Sequence, residues 1–374
     1  MRKMGGMRIL VAPDKFAGTL TAAQAAAAIR DGWLATAPGD ELELAPLSDG
    51  GPGFLDVLRA SIGGEVREAP VAGPLGDRVT APLLVREENG ITTAYLESAH
   101  ACGLHLVPRD QVQTNALRAT SYGVGELLLA ARDAGCCRAV VGVGGTASTD
   151  GGAGMLAALG AQPAETLSRG GGALAAVDRV ELEPARSRVA GLEIVACTDV
   201  GGPLMGSDGA ALGYARQKGA DRAGRDALEV AMRVWSTATD GGLAVRPGAG
   251  AGGGLGFGLL LLGAERVPGA QLVLDSTRFA ERAATVDLVI TGEGAFDWQS
   301  LRGKVVSGVA RAAQSSGRPV IVLAGRVEVG RRELANAGID AAYAVEDGPT
   351  AVAATDPAAA LAALAARVAH TWSG

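Results

Sequence analysis

The sequence predicts an α/β protein of two α/β domains, one a discontinuous parallel-sheet domain interrupted by an inserted second domain. Three observations predict it. Short apolar stretches of strand length alternate with Ala-rich helical stretches at both ends of the sequence. From Gly63-Gly64 that texture gives way to closely spaced alternating stretches, as in antiparallel strands joined by turns. At 374 residues the chain is also long for a single core. Hydrophobic residues make up 48% but aromatics only 3%, so the core must be built of Ala, Val and Leu, as helices packed closely on a sheet require. The 56 glycines exceed what turns need, so some are expected where backbone approaches a ligand.

Taken in order, Arg8–Ala12 reads as a first strand, Thr21–Ala35 as a helix capped by Thr21, and Leu42–Leu44 as a second strand. Strand, helix, strand is the parallel unit. Glu65–Val71, Val79–Val85 and Thr92–Leu96 are the alternating stretches. A helix over Gly125–Ala134 and strands at Ala139–Val143 and Ile194–Cys197 begin a second α/β pattern. The strand Asp287–Ile290, the helix Val305–Ala313, the strand Pro319–Leu323 and a last helix Pro357–Ala369 resume the texture of the start. The expected domains are therefore 1–66 plus 287–374, and 67–286. No fixed-period repeat appears.

Net charge is -6 and no basic stripe is visible, which argues against a nucleic acid or anionic membrane partner. Cys102, Cys136, Cys137 and Cys197 lack zinc-ligand spacing, so a reduced, cytoplasmic protein is expected. The apolar run from Ile9 is cut at once by Pro13, Asp14 and Lys15, so no signal peptide is expected. Leu255–Leu262 is glycine-laced and too short to span a bilayer. Self-association into a homo-oligomer stays open.

The densest chemistry lies in VITGEGAFDWQSLRGK, Val289 to Lys304. Gly292 and Gly294 free the backbone to turn beyond a strand end, where Glu293 and Asp297 are placed to hold a divalent metal or take a proton. The alternative is that Asp297 caps the next helix while Glu293 is solvated. Ala139–Val143 runs into GGTASTDGGAGML, whose Gly144, Gly145, Thr146, Ser148 and Thr149 form an anion cradle of amides and hydroxyls. Asp150 there is either a metal ligand or a helix cap. Gly142, Gly144 and Ala147, and more strictly Gly248, Gly250 and Gly253, match a dinucleotide fingerprint, but PGAGAGGGLGFGLL reads better as a glycine loop entering a helix. In VAPDKFAGTLTA, Asp14 and Lys15 follow the first strand, and in PLSDGGPGF, Asp49, Gly50 and Gly51 follow the second, so the two loops are expected to be neighbours. CTDVGGPL offers Asp199 at a further strand end, and Arg216, Gln217 and Lys218 follow. His100, His105 and His370 show no metal spacing.

These segments, together with ARQKGA, resemble the bacterial glycerate kinase family in sequence and in order over nearly the whole chain. The resemblance implies two α/β domains with the active site in the cleft between them, Mg-ATP as phosphoryl donor with Mg²⁺ as cofactor, and glycerate as acceptor, its 2-hydroxyl the usual target. On that reading Gly144, Gly145, Thr146, Ser148, Gly250, Gly252 and Gly253 bind the nucleotide, and Asp150, Asp199 and Glu293 the metal. Asp49 or Asp297 is the catalytic base, with Lys304 on the developing charge. Asp14, Lys15, Gly50 and Gly51 bind the acceptor. Pro52 departs from the acid common in the family, Phe54 from a small hydroxyl residue, Gly202 from Asn and Ala295 from Arg. A kinase of a related hydroxy acid, a nicotinamide-dependent dehydrogenase and a non-catalytic sugar-acid-binding relative are the competing readings.

Overall fold

The computed structural model describes residues 6–16, 18–301, 303–346 and 356–373. In chain order the strands are β1 (Arg8–Pro13), β2 (Glu41–Leu44), β3 (Glu65–Ala72), β4 (Arg78–Glu88), β5 (Ile91–Glu97), β6 (Arg138–Gly142), β7 (Glu193–Cys197), β8 (Glu265–Val267), β9 (Leu288–Gly292), β10 (Ala295–Phe296), β11 (Val320–Ala324), β12 (Arg326–Val327) and β13 (Ala341–Ala344). Two compact units result, one of residues 1–49, 56–62 and 268–374, the other of residues 50–55 and 63–267.

The first unit is a five-stranded sheet in the order β13-β11-β9-β1-β2, parallel throughout. Its inner strands β11, β9 and β1 are buried on both faces, as a sheet covered by helices on each side requires, while the edge strand β2 alternates Glu and Leu. On one face Ile9, Val11, Ile290, Ile321 and Leu323 meet Ile29 and Trp33 of the helix Ala22–Thr36 and Leu361, Leu364 and Val368 of the helix Pro357–Trp372. On the other, Val322 and Ala324 meet Val306 and Ala310 of the helix Val305–Gln314. Thr21 caps the first helix as expected, in a reciprocal box with Gln24.

The second unit is a six-stranded sheet in the order β3-β4-β5-β6-β7-β8. β3, β4 and β5 are antiparallel, and β5 to β8 run parallel. Its core draws on Leu83, Leu96, Leu127, Val141, Met155 and Ile194 from the sheet and its helices.

The expected strands and helices all form, within a few residues at their ends. The unit boundaries fall elsewhere. The helices Gly269–Ser276 and Phe279–Ala283 pack on Val305–Gln314, so the second crossing comes at Pro268 and not at 287. β3 pairs along its whole length with β4, which draws residues 63–66 into the second unit. Residues 50–55 also belong there, because Gly50 and Gly51 lie against β6 and its loop. The helices Phe54–Ile62 and Arg222–Ala238 were not anticipated, although Leu228, Ala231, Met232 and Trp235 give the latter a buried stripe. Among the described residues no helix is long and apolar enough to cross a membrane.

Candidate functional site

In the first unit the carboxyl ends of adjacent parallel strands are knitted together. The Asp14 amide donates to the Gly292 carbonyl at 2.8 Å and the Leu47 amide to the Pro13 carbonyl at 2.9 Å. That register delivers Asp14 and Lys15 after β1, Asp49 after β2 and Glu293 after β9 to one edge, the usual place for ligands in such sheets. Lys15 Nζ donates to Asp49 Oδ1 at 2.8 Å and lies 3.6 Å from Asp14 Oδ1. The two expected loops are thus in contact.

Burial sets the electrostatics of this cluster. It pushes the Asp14 carboxyl up to about 7, with Asp49 and Glu293 pushing the same way and Lys15 opposing. It also pushes Glu293 up to about 7, against the pull of Ser300 and Lys304, while Asp297 and Asp49 add to the rise. Among the described residues Glu293 Oε1 is buried without a hydrogen-bond partner. For Lys15 burial works downward, but Asp49 and Asp14 outweigh it and hold the ammonium above the ordinary lysine range. Asp14, Lys15, Asp49, Glu293, Asp297 and Lys304 therefore all belong to one interacting set. Asp297 does not cap the next helix. Its Oδ1 accepts from the amides of Gln299 (2.8 Å) and Ser300 (3.3 Å) in a local turn, and Lys304 holds the position preceding Val305.

In the second unit the loop after β6 lies against two other glycine segments. A Cβ on Gly142 would come within 2.6 Å of the Gly50 carbonyl, one on Gly144 within 2.7 Å of Gly51 Cα, and one on Gly145 within 2.6 Å of Pro52 Cγ. Farther along, Gly151 donates to the Gly253 carbonyl at 3.1 Å, and Gly252, Gly253 and Gly254 take left-handed φ of 60°, 72° and 86°. A side chain on Gly250 would collide with the Pro203 carbonyl and one on Gly253 with the Ser148 carbonyl. These glycines are required by packing before any ligand is considered. They follow the helical turn Gly241–Ala244 and not a strand, so the dinucleotide fingerprint lacks its context.

Solvent reaches the expected anion loop at Gly144 and Gly145, while Thr146, Ser148 and Thr149 are buried. Thr146 Oγ1 accepts from Lys218 at 3.0 Å, whereas Thr149 Oγ1 has no partner among the described residues. Asp150 departs from the expectation of a metal ligand. It is fully buried, and its carboxylate accepts from the Ser121 amide (2.8 Å) and hydroxyl (2.9 Å) and from the Gly152 and Gly154 amides (each 3.2 Å). Burial raises its pKa against those donors, which organise the loop around it. Asp199 follows the end of β7.

Two site residues escaped the sequence reading. Glu97, buried at the end of β5, accepts from the Gly53 (3.2 Å) and Leu55 (3.3 Å) amides and so ties the Gly50–Leu55 segment to the sheet. Its signal was an acid closing an apolar strand, the same signal that marked Glu293. Lys218 appeared only as one of three polar residues in a row, yet it alone is buried. The departures from the family pattern are largely explained by packing. Pro52 covers Gly145, Phe54 lies against Gly142 and edge-on to Tyr95, and a side chain at Gly202 would meet the Asp208 carbonyl. Nothing in the structure explains Ala295.

The glycerate kinase family model matches residues 9–373. A glycerate kinase of Halalkalibacterium halodurans is 40% identical over 346 residues, 90% of each chain. The glycerate 2-kinase of Escherichia coli is 36% identical, covering 91% of this chain and 90% of the relative. The crystal structure of a glycerate kinase 2 candidate from Salmonella typhimurium LT2 superposes with a TM-score of 0.76 at 33% identity, covering 98% of both chains.

Two outcomes follow from these environments. Asp150→Asn places an amide NH2 among donors, so the urea midpoint should fall by an amount equivalent to about 2–4 kcal/mol while any Mg²⁺ dependence of activity is unchanged. Wild-type stability with a raised Mg²⁺ requirement would return Asp150 to the metal. Glu293 ionises near 4.5 in the unfolded chain but near 7 when folded. Unfolding therefore releases a proton between about pH 4 and pH 7, and stability falls as pH rises through that window. Glu293→Gln should accordingly stabilise the protein at pH 8 by about 1–2 kcal/mol, discounted for partial solvent access, and change little at pH 4. Equal melting temperatures for the two proteins at pH 8 would contradict the assignment.

Proposed function

The chain belongs to the glycerate kinase family, and on that premise we propose that it transfers the γ-phosphoryl group of ATP to glycerate, at the 2-hydroxyl, giving 2-phosphoglycerate and ADP. The observation that carries the reading is the desolvated set of Asp14, Lys15, Asp49 and Glu293 at the carboxyl ends of parallel strands. Phosphoryl transfer asks the protein mainly for positioning and charge stabilisation, together with a group to take the hydroxyl proton. A carboxylate with a pKa near 7 is matched to that proton transfer at neutral pH, which favours Asp14 over the bases expected from sequence. Asp49 Oδ1 accepts from Lys15 Nζ at 2.8 Å, and Asp297 Oδ1 is engaged in its own turn.

In this reading Lys15 shares its charge between Asp49 and the acceptor carboxylate, and Lys304 faces developing negative charge. The loop at Gly144–Ser148, backed by Gly250–Gly253, receives the nucleotide phosphates. Among the described residues no three Asp, Glu, His or Cys side chains are gathered closely enough to hold a metal ion. Mg²⁺ in kinases needs fewer, commonly one or two carboxylates with waters and substrate phosphates. Glu293, whose buried Oε1 has no partner among the described residues, fits that role, and Asp199 is the second candidate. The ion would neutralise phosphate charge when bound.

Purified protein given Mg-ATP and glycerate should release ADP in a coupled assay and yield a product whose phosphorus NMR signal couples to the C2 proton. NADH should be neither bound nor oxidised. Absence of ATP-dependent phosphorylation would sink the reading. Lys15→Ala should raise the KM for glycerate roughly 10- to 150-fold, the equivalent of about 1.5–3 kcal/mol for a charge-assisted contact, and affect the KM for ATP far less. Equal effects on the two constants would show that Lys15 does not serve the acceptor.

A further inference from the structure

We propose that Lys218 is a positioning residue for the nucleotide, its buried ammonium clamping the Thr146–Ser148 segment from behind and fixing the form of the loop that receives phosphate. The inference rests on the assignment of that loop to ATP. Lys218 closes the short turn Ala215–Lys218 and is only 5% exposed. Its Nζ donates to the Ser148 carbonyl at 2.6 Å and to Thr146 Oγ1 at 3.0 Å. Both acceptors are neutral.

The acid that acts on it is Asp150, whose oxygens are taken up by Ser121, Gly152 and Gly154. Burial accordingly draws the ammonium down to about 8, with Cys102 and Asp150 opposing the fall. A desolvated cation without a contacting carboxylate is an expensive way to fill space. Methionine would occupy the same volume without the penalty, so the charge and the directed hydrogen bonds need a use.

Peptide geometry supplies one. A trans peptide carries its carbonyl and amide hydrogen on opposite sides, and among the described residues the cis bond is at Gln162-Pro163. With the Ser148 carbonyl drawn to Nζ, the Thr149 amide hydrogen points away from Lys218. That amide finds no acceptor among the described residues, and Thr149 Oγ1, fully buried, has no partner either. The clamp thus turns the Ser148 carbonyl toward the lysine and leaves the Thr149 amide and hydroxyl uncommitted among the described residues. Gly253 closes the arrangement, since a Cβ there would lie 2.6 Å from Nζ. The solvent-facing tip, Gly144-Gly145, adjoins the clamped Thr146 directly.

The test compares wild type, Lys218→Met, Lys218→Arg and Thr146→Val for both KM values, for ATP binding by calorimetry and for melting temperature. Lys218→Met should raise the KM and Kd for ATP at least tenfold and leave the KM for glycerate within twofold, and Lys218→Arg should recover part of the loss. Thr146→Val, which removes one acceptor, should raise the KM for ATP about threefold, and it decides the matter if Lys218→Met does not fold. Unchanged ATP constants in the folded variants, or equal rises in both KM values, would overturn the inference. Wild type that neither binds nor consumes ATP would instead overturn the assignment of function on which it stands.

Discussion

Close approach of backbone to backbone is the constraint on which the second unit depends. Gly142, Gly144 and Gly145 press on Gly50, Gly51 and Pro52, and Gly151 and Gly152 on Gly254 and Gly258, at separations that a single methyl group would forbid. Segments distant in sequence are thereby brought within reach of one another's amides and carbonyls. The loop after β6 is held from one side by Gly252–Gly254, from below by Lys218 and at its base by Asp150. A chain so poor in aromatics fills its core with small side chains, and the same economy of size lets main chain pack like side chain.

The first unit works by a different principle. Its parallel strands converge acids of the same sign in a place largely shielded from solvent, and one lysine pairs with two of them. Mutual repulsion and burial leave Asp14 and Glu293 able to change protonation near neutral pH. Such a cluster weakens the folded state above pH 7, and strain of that kind is common where binding a cation or accepting a proton relieves it.

Much of this was legible in the sequence. Period and turn chemistry located β1, the Thr21 cap and the three antiparallel strands, because each is decided by neighbours within a few residues. Acids at the ends of apolar strands located Asp14, Asp49 and Glu293. What stayed hidden depends on partners far along the chain. Asp150 looks the same whether it faces a cation or the amides of Ser121 and Gly154, and only the fold brings Ser121 beneath it. Lys218 sits among Arg216 and Gln217 with nothing local to mark which of the three is buried. Gly252 and Gly253 were read for phosphate when contact with Val143 and Ser148 already requires them.

The pairing of β1 with β9 in the first sheet carries a consequence for synthesis. β1 leaves the ribosome well before its neighbour β9, Ile9 pairing with Leu288 across most of the sequence. At typical elongation rates that interval lasts on the order of 15–55 s. Throughout it, Ile9 and Val11 and the apolar stripe of the helix Ala22–Thr36 lack the sheet that will cover them, while residues 63–267 have everything they need to condense. The nascent chain therefore carries one finished body and one sticky, half-built edge. Its vulnerability to aggregation is set by translation speed and chaperone cover over that window, and not by the stability of the completed protein.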